Sequence, residues 1–147
     1  MEYAVLVIIL FILITLLLKK GDKNRAIEID KIFEGRMSLS PHEFYETYYS
    51  DKAVSEDVVI DIINILETEI ETDHSRLIPS DDLSENLRYL FEFDSMADIA
   101  VIESVERKFS IKISDMEAEN IKTINDLVLF VNSKIDCTIQ ANSGRDF

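Results

Sequence analysis

Between Val58 and Ile135 the apolar residues return every three or four positions, and that spacing commits the chain to helices. Val58, Val59, Ile62, Ile63, Leu66 and Ile70 mark one buried stripe, in a helix opened by Ser55 and running to about Thr72. Met96, Ile99, Ile102, Val105 and Phe109 mark a second, opened by Asp94 and Ser95. Leu127, Val128, Phe130, Val131 and Ile135 mark a third, capped by Thr123, with Asp126 in the first turn where the helix dipole favours an acid. A short fourth helix fits between them, with Ser114 as N-cap and Glu117 three residues on. Three glycines and two prolines in 147 residues leave few breakers, and no run alternates in the way a sheet needs. The expected fold is therefore all-α: a four-helix bundle of three longer helices and one short one, packed around a single core. The connection from Asp73 to Phe93 is long, and a short helical turn is expected within it near Leu83 to Tyr89.

Upstream of the bundle, Ser40-Pro41-His42-Glu43 is a helix start, with serine at the N-cap, proline at N1 and glutamate at N3. It predicts a short aromatic helix over 41–50, whose Phe44, Tyr45, Tyr48 and Tyr49 lie at i, i+4 spacing and pack on the domain. Further upstream, Tyr3 to Leu18 carries no charge. A cleaved signal peptide would want a basic start and a small-residue cleavage site, and neither is present. The run predicts instead an uncleaved transmembrane helix, with Lys19, Lys20, Lys23 and Arg25 after it holding the C-terminal domain in the cytoplasm. The expected organisation is a transmembrane anchor over 1–20, a polar tether over 21–53 that includes the aromatic helix, a helical domain over 54–136 and a flexible tail over 137–147. The expected location is the cell membrane, single-pass.

Composition removes several classes of function. There are 29 acidic and 15 basic side chains, a formal charge of -14, which disfavours a nucleic-acid partner because phosphates need a basic footprint. It suits a basic surface on another protein, although acidic residues also serve simply to keep a small domain solvated. A single cysteine, Cys137, excludes an intrachain disulfide and cysteine-cluster metal sites. His42 and His74 sit in no metal-ligand spacing, and no metal site is expected. No nucleophile elbow, phosphate loop or dinucleotide fingerprint occurs, so no catalytic residue is expected.

Within this frame, Asp94-Ser95-Met96 at the mouth of a helix resembles the Asp-Ser-Leu signature of the acyl carrier proteins. Ser and Asp in that position ordinarily cap a helix and do nothing more. Here VIESVERKFSIKISDMEAENIKTINDLVLFV follows in the family's register. Phe109, Ile111 and Ile113 fall on its apolar positions after the helix. Asp115, Glu117, Ala118, Glu119 and Ile121 fall on its acidic third helix, and Thr123, Ile124, Asp126 and Leu127 on the start of its fourth. The resemblance runs from about Val54 to Ile135. It implies that Ser95 receives a 4'-phosphopantetheine arm, that Asp94 assists loading by helping to position Mg2+ and the incoming group, and that the partners are a phosphopantetheinyl transferase and acyl-loading and acyl-transfer enzymes. The arm's thiol would carry acyl groups as thioesters, and the chain itself would not be an enzyme. Candidate docking residues are Asp98, Glu103 and Glu106. Three departures stand out. Met96 replaces leucine, no glycine precedes Asp94 closely, and Ala100 stands where many members carry a docking glutamate. Joined to the apolar run, the resemblance predicts a membrane-tethered carrier whose partners include membrane-bound enzymes. The alternative is an unmodified interaction or scaffold module that keeps the carrier fold at the membrane.

Overall fold

The computed structural model describes residues 30–70, 74–83 and 97–143, with side chains of the last stretch described over 99–138. The chain divides into two compact units between Gly35 and Arg36, and the second, Arg36–Phe147, holds every element named below. Its helices are α1 (Pro41–Tyr48), α2 (Glu56–Ile70), α3 (described from Ala97 to Phe109), α4 (Asp115–Ala118) and α5 (Ile124–Ser143). The expected all-α bundle, three longer helices and one short, is present as α2, α3, α5 and α4, with the short aromatic helix α1 before it.

The helix starts follow local chemistry. At α1 the Glu43 carboxylate accepts from the backbone N–H of Ser40 at 2.8 Å, while the Glu43 N–H donates back to Ser40 Oγ at 3.3 Å. At α4 the Ser114 N–H and hydroxyl both donate to Glu117 Oε2 at 2.9 Å. Before α5 the Asp126 carboxylate accepts from the Thr123 N–H at 2.9 Å, and the Asp126 N–H donates to Thr123 Oγ1 at 3.1 Å. Each arrangement satisfies amide donors that a helix end leaves open.

Packing is organised around α2, which lies against α1, α3 and α5. Val58, Val59, Ile62, Ile63, Leu66 and Ile70 are buried along it. Opposite them sit Val101 and Val105 of α3, and Ile124, Leu127, Val128 and Val131 of α5. Each large aliphatic side chain fully withdrawn from water contributes roughly 1.5–3 kcal/mol. The α3 stripe differs from the expected one: Ile99 is 46% exposed, and Val101, Ser104 and Val105 are the buried residues. The buried face is rotated because Ser104 faces α2, where its hydroxyl donates to Glu69 and accepts from Arg107 at 2.7 Å.

The stretch before α2 is sewn into the same core. Phe44 and Tyr49 are buried, with ring centroids 6.0 Å apart. Tyr49 donates its hydroxyl hydrogen to Asn125 Oδ1 of α5 at 3.2 Å. Asn132 of α5 accepts from the Ser55 N–H at 3.0 Å and donates to the Ala53 carbonyl at 3.3 Å, which fixes the α1–α2 link.

No helix among the described residues is long and apolar enough to cross a membrane. The longest of them, α5, has 20 residues but carries Asp126, Lys134 and Asp136. Tyr3 to Leu18, on which the transmembrane anchor rested, lies outside the described residues. Its sixteen positions would reach only about 24 Å as a helix against a hydrocarbon core of about 30 Å. The anchor, the membrane tethering, the membrane-bound partners and the single-pass membrane location with a cytoplasmic domain are therefore withdrawn. The helical turn expected near Leu83 to Tyr89 falls almost wholly outside the described residues, which stop at Leu83.

Candidate functional site

Asp94 and Ser95 lie outside the described residues, as does Met96. The helix they were expected to open is described from Ala97, two residues after Ser95. Of the three docking candidates, Asp98 lies at the start of this described stretch, and its side chain is outside the description. Glu103 is exposed on α3.

Glu106 has a different environment. Its side chain is 18% exposed, and Oε1 accepts from the backbone N–H of Ile113 at 2.7 Å. Oε2 meets Lys112 Nζ at 3.3 Å. The Ile113 amide, more than the lysine, holds the Glu106 carboxyl below the usual carboxylate range. The surrounding backbone explains why this contact forms. Ser110 adopts a left-handed conformation, φ 53°, and the Ile111 N–H returns to the Glu106 carbonyl at 3.2 Å. That is a Schellman-type ending for α3, with Ser110 where glycine is more usual. Ile111 is turned into the core, and the Glu106 side chain then catches the next free amide. Nothing in the sequence spacing marks this, because the contact depends on a turn that doubles the chain back.

The short α4 buries none of its residues. It is held from α5 by Lys134, whose ammonium meets Glu117 Oε1 at 2.7 Å and donates to the Lys112 carbonyl at 3.3 Å. The same ammonium lies 5.3 Å from the centre of the Phe130 ring. Lys134 first, and the Ser114 backbone second, pull the Glu117 carboxyl down to about 2.

The loop 74–83 is the described part of the connection between α2 and α3. It is pinned to the start of α5: Leu83 N–H donates to the Lys122 carbonyl at 2.8 Å, and Asn125 N–H to the Pro79 carbonyl at 2.9 Å. Sequence reading gave no role to Asp81 in this loop. The residue is fully buried, and its Oδ2 accepts from Arg36 Nη1 at 2.7 Å and from the Ile78 N–H at 2.9 Å. A fully buried aspartate in a polar loop needs a cation, and the partner lies 45 residues away in sequence. Among the described residues no group of three or more side chains could hold a metal ion.

Comparison with known proteins now bears on the site. Residues 60–131 match the family model described as "Phosphopantetheine attachment site", and Ser95 lies within that span. The acyl carrier protein of Thermosynechococcus vestitus is 30% identical over 71 residues, covering 48% of this chain and 83% of the relative. The acyl carrier protein of Micrococcus luteus is 28% identical over 80 residues, 54% of this chain and 94% of the relative. That of Myxococcus xanthus is 28% identical over 79 residues, 54% of this chain and 95% of the relative. Proteins of this kind are non-catalytic carriers, and the match brings with it a covalent phosphopantetheine group. The helical bundle of α2 to α5, the register of the matched segment and the near-complete coverage of these relatives agree: the chain belongs to the acyl carrier protein family.

Proposed function

We propose that Ser95 is the attachment serine, and that the chain holds acyl groups as thioesters on a 4'-phosphopantetheine arm for presentation to partner enzymes. The observation that carries this reading is the position of Asp94-Ser95-Met96 inside the matched segment, directly before the described part of α3. A serine at the mouth of a helix leaves its hydroxyl accessible, and helix N-termini favour the negative charge of a phosphodiester. Asp94 would assist loading by helping to position Mg2+ and the incoming group. When bound, the arm supplies the thiol on which the acyl group is held, so the exposed Cys137 has no part in it.

The carrier segment is assigned to 54–136, with 21–53 leading into it and 137–147 trailing. A phosphopantetheinyl transferase and acyl-loading and acyl-transfer enzymes would meet the acidic face of α3 through Asp98 and Glu103. Glu106 belongs to the same helix, but its carboxylate is already engaged by Ile113, so its part in docking is secondary to holding the loop. The attraction to a basic partner falls as salt rises.

Incubation of the full chain with coenzyme A, Mg2+ and a transferase should raise its intact mass by one phosphopantetheine group. Ser95→Ala should abolish the increase and leave the fold in place, since a lost helix cap costs only about 0.5–2 kcal/mol. Asp94→Ala should slow it. An unmodified serine both in this reaction and in protein purified from its own host would sink the proposal.

A further inference from the structure

The outward ridge of α3 changes chemistry along its length. Ile99, Glu103 and Arg107 stand at i, i+4 and i+8, so they share one side of the helix with about 6 Å of rise between neighbours. Ile99 is 46% exposed, and Glu103 and Arg107 are exposed as well. We propose that Arg107 is a specificity-determining residue of this ridge, and that the carrier's own partners present a carboxylate to it beside the basic group that meets Glu103. The inference rests on the carrier reading above and adds to it the chemistry of the partner's surface.

Arg107 is set apart by its surroundings and by how it is held. The chain carries 29 acidic side chains against 15 basic ones, and Arg36, Lys108, Lys112 and Lys134 each meet a carboxylate. Among the described residues no carboxylate pairs with the Arg107 guanidinium. Its Nη2 donates instead to Ser104 Oγ at 2.7 Å. Ser104 is 6% exposed and gives its own hydroxyl hydrogen to Glu69 on α2. A side chain tethered in this way has lost part of its rotamer freedom before any partner arrives, which lowers the cost of binding. Arginine has a planar fork of N–H donors, and the bond to Ser104 uses one of them. The neighbouring Lys108 is engaged with Asp61 on α2 at 2.9 Å. The space beside the fork is open. Arg107 and Ser104 line one wall of a groove of about 330 Å³, with Asp61, Ile65 and Thr68 of α2 on the other, and this leaves room for an acidic side chain to reach the guanidinium.

A partner with a uniformly basic face is attracted by Glu103 and repelled by Arg107. A partner with a carboxylate placed about one helical turn from its basic group gains at both positions, and a fork-to-carboxylate contact is bidentate and among the stronger charged bonds. Like charges brought together at an interface cost affinity, so the same residue admits one class of partner and disfavours the other.

The test compares loading of the full chain, with coenzyme A and Mg2+ at low salt, by two phosphopantetheinyl transferases: one with a uniformly basic docking face, and the one from the chain's own host. Arg107→Glu should lower KM for the carrier about three-fold or more with the first and raise it about three-fold or more with the second, with kcat changed by less than about two-fold in both. Arg107→Gln, which removes the charge and can keep a bond to Ser104, should move each KM in the same direction by less, and it covers the case in which Arg107→Glu fails to fold. Both shifts should shrink as salt rises. Shifts of one sign with both enzymes would overturn the specificity role, because the host's enzyme would then offer Arg107 no carboxylate. No shift with either would place Arg107 outside the docking face and overturn it too. A wild-type chain that neither enzyme loads would overturn the carrier reading and this inference together, whereas KM changes measured against a loading wild type bear on Arg107 alone.

Discussion

Removing the ring of Tyr49 should show how far the aromatic stretch before α2 belongs to the carrier fold. Tyr49 is fully buried beside Phe44, and its hydroxyl reaches Asn125 on α5. Truncating a buried aromatic side chain to alanine costs about 3–5 kcal/mol, the lost transfer energy plus the cavity left behind. Tyr49→Phe keeps the packing and loses one hydrogen bond, about 1 kcal/mol and no more, because Asn125 is only half-buried and water can replace the hydroxyl. Urea unfolding of the full chain followed by far-ultraviolet circular dichroism gives both differences. In thermal melts, at about 4 °C per kcal/mol, the expected drops are about 15 °C and about 4 °C. The alkaline limb supplies an independent check. Burial, and secondarily the charge of Asp126, push the Tyr49 hydroxyl from 10.0 up to about 12. The raised value means its contribution is fully present below pH 10 and is lost as the pH rises through about 12. Tyr49→Phe should flatten that part of the stability profile. A loss below about 1 kcal/mol for Tyr49→Ala would refute the reasoning, because a ring so buried could not then be part of the cooperative core.

Lys134→Met should let the Glu117 carboxyl rise from about 2 toward its ordinary 4.5, readable by carbon-detected titration. In the native chain the depressed value makes this contact's contribution full above pH 4.5 and lost as the pH falls through about 2, so the protection of α4 amides, relative to their intrinsic exchange rates, should fall in acid. Protection of α4 unchanged by the substitution would remove Lys134 as its tie. Glu103→Lys should slow transferase loading at low salt with stability within about 0.5 kcal/mol of the parent, as for other surface changes. Glu106→Gln should instead weaken the α3–α4 turn, seen as faster exchange at Ile113; equal behaviour of the two variants would contradict their different surroundings. Gly35→Ala meets no neighbouring atom and should cost about 1–2 kcal/mol through its backbone alone, at φ +75°.

What the sequence by itself determined is what neighbouring residues decide. The capping pairs Ser40–Glu43, Ser114–Glu117 and Thr123–Asp126 were legible because each closes over three residues. The α2 stripe was legible because most of one face is buried and its period shows through. The carrier family was legible from Asp94-Ser95-Met96 and the register after it, although the structure does not describe that serine. The apolar run Tyr3 to Leu18 carries no charge but is short of a full span, and it lies outside the described residues, among which no helix is long and apolar enough to cross a membrane. The α3 face went partly astray because Ile99, Val101 and Ile102 offer two adjacent helical stripes, and only packing against α2, with Ser104 bonded to Glu69, selects between them. Tertiary structure alone decided the work of Glu106, Lys134, Asp81 and Arg36. A carboxylate written in sequence carries no sign of whether it faces water, a partner protein or a distant amide. Arg36 and Asp81 become partners only once the chain has folded 45 residues back on itself, where a buried charge leaves no stable arrangement but a paired one.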